Sequence, residues 1–318
     1  MSDTVSTPRR FHVFVNEAAG SIDDVERQCE DIRTAFADAG VDATVQPVEP
    51  ALLADSIASV WGERRCDAIV VAGGDGTISC AAGAAVGSGA VLGVLPMGTF
   101  NHFAKDLGIP IDLPDAARHL AAAPVDVVDV AEVNGRVFVN NATLGVYPEM
   151  VEARDDIRER RGWGKIRAVP VAMLRTLHRM PSHHLYITAD DSPRLAVSTS
   201  FVFVGNGLFD EGGTDVGSRP SLTSSHLGFY VVKTSSRWRL FGDAVRARLR
   251  GLGAARQVDR RSAVELLVEA DEASLAIALD GEPLTLDTPL RFRARPEALR
   301  VLRQASPGDA ADVPGVAR

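Results

Sequence analysis

The chain has 318 residues, 46% of them hydrophobic and 24% charged, with a formal net charge of −8. That length admits two packed domains, and the acidic balance argues against a general affinity for nucleic acid, which needs surplus Lys and Arg to neutralise phosphates. Cys29, Cys66 and Cys80 are its three cysteines; they show no metal-ligand spacing and cannot all pair, which predicts a reducing, cytoplasmic setting.

In chain order, residues 1–10 (MSDTVSTPRR) are polar with no apolar leader core, and are expected to be a disordered tail. FHVFVN (Phe11–Asn16) reads as a strand. In Ser21–Ala39 the apolar Ile22, Val25, Cys29, Ile32 and Phe36 recur at helical spacing, with Ser21 placed to cap the start and Gly40 to end the helix. A strand at Ala43–Val48, a helix near Leu52–Trp61 and strands at Ala68–Ala72 and Val91–Leu95 follow. This β-α-β alternation predicts a parallel sheet covered by helices. Ile78–Gly98 is an uncharged run of membrane-spanning length. Ala and Gly dominate it and a Pro interrupts it, so a buried helix, a Gly-Ser-Gly turn and a buried strand are expected, not a transmembrane span.

After Pro124 the pattern becomes short strands rich in Val, Leu and Phe: VDVVDVAEV, RVFVNNATLGV, HLYITAD, LAVSTSFVFVGN, GFYVVKT, AVELLVEA, SLAIALDGE and LRFRARPEAL. Turn residues such as Asn134-Gly135 separate several of them, as in antiparallel pairing. The predicted fold is an α/β N-terminal domain with a parallel sheet over residues 11–124. A mainly antiparallel β-sandwich C-terminal domain follows over residues 125–303, its last segment packing back on the first. Helical, Arg-rich insertions are expected between Met150 and Met180 and between Arg237 and Arg250, and residues 304–318 form a second disordered tail.

The stretch AIVVAGGDGT (Ala68–Thr77) runs a buried strand into glycines, one carboxylate and one hydroxyl. Glycines between a parallel strand and a helix let the backbone approach a phosphate, and the helix start offers open amides. Gly73, Gly74 and Gly76 suit that role, and Thr77 adds a hydroxyl donor. Asp75 is repulsive to phosphate unless a cation intervenes or it orders a donor; a capping role is the plain alternative. A second turn, Pro96–Asn101 (PMGTFN), follows the next strand and repeats the Gly-Thr pair as Gly98-Thr99. Neither turn matches G-x-x-x-x-G-K-[ST] or G-x-G-x-x-G. Together they point to a phosphate site.

GGDGT followed by PMGTFNHFAKDLGIP resembles the diacylglycerol kinase catalytic-domain family, which includes bacterial lipid kinases and sphingosine kinases. Asn16, NNATLGVYPEM, FVGN (Phe203–Asn206) and LDGEP fall in that family's order, so the resemblance spans roughly residues 11 to 303. GGDGT alone is shared with NAD kinases; the GTxNxFAxxLGIP segment is more specific. The resemblance implies ATP with its Mg²⁺ in a cleft between the two domains. It assigns the nucleotide to Asn16, Gly73, Gly74, Asp75, Gly76, Thr77, Gly98, Thr99 and Asn101. It makes Asp280 of LDGE the base that takes the acceptor's proton, with Glu282 as a metal or water ligand. Without the resemblance, Asp280-Gly281 reads as a hairpin turn.

Some positions depart from the family's pattern. Asn16 is followed by Glu17 where Pro is usual, and GTFNHFAK sets His102 and Lys105 where Asp and Arg are common. His102 is open between a substrate contact and a partly buried structural histidine. LTSSHLGFY places Thr223, Ser224 and Ser225 on an Asp-Asp-Gly that helps hold a structural Mg²⁺ in several relatives. Hydroxyls are poor ligands for a hard cation, so that metal is not expected unless Asp210, Glu211 or Asp215 compensates. Arg154, Arg158, Arg160, Arg161, Lys165, Arg167, Arg175 and Arg179 accompany Trp163. They suit either peripheral contact with an anionic inner membrane face or a solvated helix. The expected activity is phosphoryl transfer from ATP to a lipid hydroxyl, most simply that of diacylglycerol. The alternatives are a soluble polyol or dinucleotide kinase and a nucleotide-binding regulator that has lost catalysis. The oligomeric state is not legible.

Overall fold

A computed structural model describes residues 10–19, 22–145, 183–209, 219–232 and 258–304. The helical insertions expected at 150–180 and 237–250, with the arginine cluster, lie outside the described residues, as do Asp210, Glu211 and Asp215.

The N-terminal part alternates β1 (Arg10–Asn16), α1 (Ile22–Asp38), β2 (Asp42–Val48), α2 (Leu53–Gly62), β3 (Ala68–Gly73), α3 (Asp75–Ser88) and β4 (Val91–Pro96). The strands pair in parallel in the order β2-β1-β3-β4. Every residue of β3 is buried, as expected for a central parallel strand covered on both faces. The predicted stripe on α1 is the buried one, through Val25, Cys29, Ile32 and Phe36, and Phe36 meets Phe11 of β1 edge-on at 5.4 Å. Gly40 ends this helix with φ +77, a conformation glycine adopts without steric penalty. The uncharged run divides into α3, which buries Ile78, Ala81, Ala82 and Ala85, and strand β4. No helix among the described residues is long and apolar enough to cross a membrane.

Two short helices, α4 (His102–Asp106) and α5 (Leu113–Ala122), lead to the strand-rich part. Its strands are β5 (Val125–Val133), β6 (Arg136–Phe138), β7 (Asn141–Gly145), β8 (His183–Ala189), β9 (Leu195–Thr199), β10 (Phe201–Asn206), β11 (Leu227–Val232), β12 (Val258–Ala263), β13 (Glu265–Ala270), β14 (Ser274–Leu279), β15 (Glu282–Asp287) and β16 (Leu290–Leu302). An antiparallel six-stranded sheet has the order β12-β11-β10-β7-β14-β15. It faces antiparallel strands of the first sheet across a core that includes Phe138, Leu144, Val204, Phe229, Ile277 and Phe292.

The first sheet continues through β16 into these later strands. β16 pairs antiparallel with β13 and β5, shifts register between Arg295 and Leu299, then lies parallel beside β4. Two apolar runs that read as single strands are each divided between the sheets. RVFVNNATLGV becomes β6 and β7, and LAVSTSFVFVGN becomes β9 and β10. At the second break the Thr199 hydroxyl bonds both the amide and the carbonyl of Phe201, replacing the ladder locally. The first break, at Val139-Asn140, is held by a carboxylate from the other end of the chain.

Candidate active site

The site begins where β3 gives way to α3. Gly74 precedes the helix in extended conformation, and no side chain caps it, so the helix start presents main-chain amides. The second turn lies directly on the first: a Cβ added at Gly98 would sit 2.7 Å from the Gly74 Cα. Only two glycines allow main chain to approach main chain this closely. Asn101 closes the second turn, accepting from the Gly98 amide at 2.8 Å and donating to the Gly98 carbonyl at 2.9 Å.

Asp75 explains itself here. Its carboxylate accepts from the amides of Asn101 at 3.0 Å and His102 at 2.8 Å, fixing the start of α4. It therefore orders the second turn, one of the roles the sequence left open for it. Asn16 donates to the Thr77 hydroxyl oxygen at 2.7 Å. That leaves the Thr77 proton available as a donor. Thr99 is exposed at the rim. The nucleotide residues expected from sequence thus converge on one end of the parallel sheet.

The LDGE hairpin reaches this place from the second sheet. Asp280 and Gly281 both have positive φ, +47 and +95, and Leu279 pairs with Glu282 across the turn. Asp280 is buried, at 7% exposure. One of its oxygens accepts from the amides of Asn140 at 2.7 Å and Asn141 at 2.9 Å, the other from Val139 at 2.8 Å. The Ser79 hydroxyl of α3 bonds the same carboxylate. Burial lifts the Asp280 carboxyl above the usual aspartate range, against the opposing pull of Ser79 and of the three amides. Glu282 is exposed and lies over the glycine loop: a Cβ on Gly76 would sit 2.5 Å from its Oε1. The two carboxylates differ in kind, one fixing the sheet crossover and the other facing the glycine loop.

Behind them runs a buried polar junction that sequence reading missed. Arg219, its side chain fully buried, donates twice to Asp106 of α4, at 2.6 and 2.9 Å. It also donates to the carbonyls of Val139 at 2.7 Å and Asn206 at 2.8 Å. Asn206 in turn donates to the carbonyls of Asp129 and Val139, each at 3.0 Å. Arg219 and Asp106 look like surface residues in a sequence; only FVGN marked Asn206. Ser79 carried one signal, its place in the first turns of the helix after the glycines.

Of the two readings of His102, the partly buried one does not hold. The residue is exposed and stacks on the exposed Phe100, with centroids 5.7 Å apart and an 8° interplanar angle, where a structural role had predicted partial burial. Its amide, not its ring, serves the fold. The glycine cradle fits nucleotide phosphates. At Thr223–Ser225, the segment on which a structural metal turned, the Ser225 amide donates to Asp129 at 2.6 Å and the Thr223 hydroxyl lies 3.2 Å from that of Ser221. Among the described residues no group of three or more His, Cys, Asp or Glu is placed to hold a metal.

Residues 10–133 match the diacylglycerol kinase catalytic domain. A Pseudomonas aeruginosa protein named as a probable lipid kinase, YegS-like, is 32% identical over 242 residues, 73% of this chain and 75% of its own. A like-named protein of Pseudomonas syringae pv. syringae is 30% identical over 240 residues, 73% and 74% of the two chains. A crystal structure of a diacylglycerol kinase from Bacillus anthracis Sterne superposes with a TM-score of 0.69 at 20% identity, over 94% of this chain and 98% of that one; this likeness concerns the fold. By its glycine turns and its curated relatives, the chain belongs to the diacylglycerol kinase catalytic-domain family.

Proposed function

We propose that the protein transfers the γ-phosphoryl group of ATP to a lipid hydroxyl, with diacylglycerol or a related neutral lipid as acceptor. The observation that carries this reading is the meeting of an exposed carboxylate, Glu282, with the glycine loop at Gly76. Phosphoryl transfer asks a protein mainly to position phosphates, to balance their charge and to take the acceptor's proton. The amides from Gly74 to Thr77, the Gly98-Thr99 turn and the Thr77 hydroxyl would bind the phosphates. Mg²⁺ brought with ATP would neutralise charge on them.

The proton acceptor in this reading is Glu282. The resemblance gave that role to Asp280, but both Asp280 oxygens already serve the 139–141 crossover, and the residue is buried. Asp280 instead holds the hairpin that presents Glu282. Glutamate can act as general base when it reaches the hydroxyl in the substrate complex. The lipid nature of the acceptor is supported by the relatives' names alone.

The test is transfer of label from γ-labelled ATP, with Mg²⁺, to diacylglycerol in mixed micelles and to a panel of polar alcohols. Label in the lipid, with kcat falling about 10² to 10⁴-fold in Glu282→Gln at unchanged melting temperature, supports the proposal. Label only in a water-soluble product keeps the kinase and removes the lipid. ATP binding without transfer to any acceptor favours a regulator. A Glu282→Gln enzyme with wild-type kcat returns the base role to Asp280.

A further inference from the structure

The geometry points to Arg219 as a positioning residue that ties the second phosphate turn to the carboxylate hairpin. The functional half of this inference rests on the kinase reading above; the mechanical half does not.

The path can be followed atom by atom. The Gly98–Asn101 turn leads straight into α4, whose last residue is Asp106. Asp106 receives the Nε and Nη2 protons of Arg219 on one oxygen. From the same guanidinium, Nη1 reaches the carbonyls of Val139 and Asn206. Val139 uses its amide on the other side to bond Asp280, and Asp280 begins the turn that places Glu282 over Gly76. One planar cation thus joins a helix of the nucleotide side, a strand of the second sheet and the sheet crossover.

The chemistry favours a guanidinium here. Its fork offers donors in fixed directions, whereas a lysine ammonium is a point charge that would not span a carboxylate and two carbonyls together. The side chain is fully buried, with Asp106 at 9% exposure. Buried ion pairs often contribute little net stability compared with a well-packed apolar pair, while removing one partner leaves a costly lone charge. Holding α4 and the crossover in register is the role that such a pair can fill. A change of α4 when phosphates fill the second turn would then pass through Asp106 and Arg219 to Val139, and from there to Asp280.

The deciding variant is Asp106→Leu/Arg219→Met, which removes both charges and strands neither. Amide hydrogen exchange is followed at Val139, Asn140 and Asn141, with and without a non-hydrolysable ATP analogue. Without nucleotide, the folded double variant should exchange at these amides at least about tenfold faster than wild type. With the analogue, wild type should slow at the same amides, while the variant binds the analogue and does not slow. In turnover, kcat should fall about tenfold while KM for ATP stays within about threefold, the mark of lost positioning rather than lost binding. If the double variant does not fold, Asp106→Asn keeps the shape and an accepting oxygen but leaves the Arg219 charge without its counter-ion, and should show the same shifts at least as large; Arg219→Lys, a point charge, should show them too.

A folded variant with wild-type exchange at 139–141 overturns the inference. So does wild-type protein that binds the analogue without slowing there. Wild type that binds no analogue counts against the kinase reading, and the exchange rates without nucleotide still decide the place of Arg219.

Discussion

Gly98 and Gly76 line the same cradle but meet opposite kinds of neighbour. At Gly98 the contact is main chain on main chain, with the Gly74 Cα 2.7 Å from where a Cβ would be. At Gly76 it is the far end of a side chain, the Glu282 Oε1 at 2.5 Å. The first seam cannot yield without moving both glycine turns. The second yields by rotating one glutamate. In the proposed reading, phosphate binding is thus built from rigid backbone, and the chemistry from a side chain delivered by a separate sheet.

Gly98→Ala should break the rigid seam. Overpacking against backbone costs about 1–3 kcal/mol, so we expect nucleotide affinity to fall by up to about a hundredfold, measured by titration calorimetry, at nearly wild-type secondary structure. Asp280→Asn should come next, acting on stability. Its one remaining oxygen can serve Asn140 and Asn141, but its NH₂ group then opposes the Val139 amide. A buried donor left unsatisfied costs about 1–3 kcal/mol, visible as a lower denaturant midpoint.

Gly76→Ala should separate the two seams. It meets Glu282 first, and its methyl also stands in the cradle, so we expect kcat to fall about tenfold and ATP affinity to fall less than in Gly98→Ala. A Gly76→Ala enzyme that loses ATP binding as Gly98→Ala does would erase the distinction.

The same contrast sets what the sequence revealed. Apolar runs ending in glycine announced β3, β4 and the two glycine turns, because buried parallel strands and close backbone approach each demand particular residues in consecutive order. The carboxylates announced themselves only as types. That Asp75 would cap α4, or that Asp280 would hold the crossover at 139–141, depends on partners 26 to 141 positions away, which no local pattern encodes. Arg219 and Asp106 were invisible for the same reason. A buried ion pair is written in the same letters as a surface one, and only the tertiary structure separates them. The strand breaks at Val139-Asn140 and Ser200 were hidden because apolar alternation continues on both sides of each break.

The smallest effect tests the electrostatics of Asp280. Burial raises its carboxyl above the usual aspartate range in the folded protein. A raised value means that the folded state keeps a proton which the unfolded chain has released. The group's contribution is therefore whole at low pH and lost as pH rises through the folded value. Asparagine does not titrate, so the stability difference between wild type and Asp280→Asn isolates this one group. That difference should narrow as denaturation is repeated from about pH 4 upward through neutrality. If it widens instead, the three amides and the Ser79 hydroxyl outweigh burial, and the crossover is held by an ionised carboxylate. A full negative charge at Asp280 would then stand two residues from Glu282, beside the proposed phosphate site. The demand for cation neutralisation at the cradle would be correspondingly greater, and activity would fall more steeply as Mg²⁺ is withdrawn.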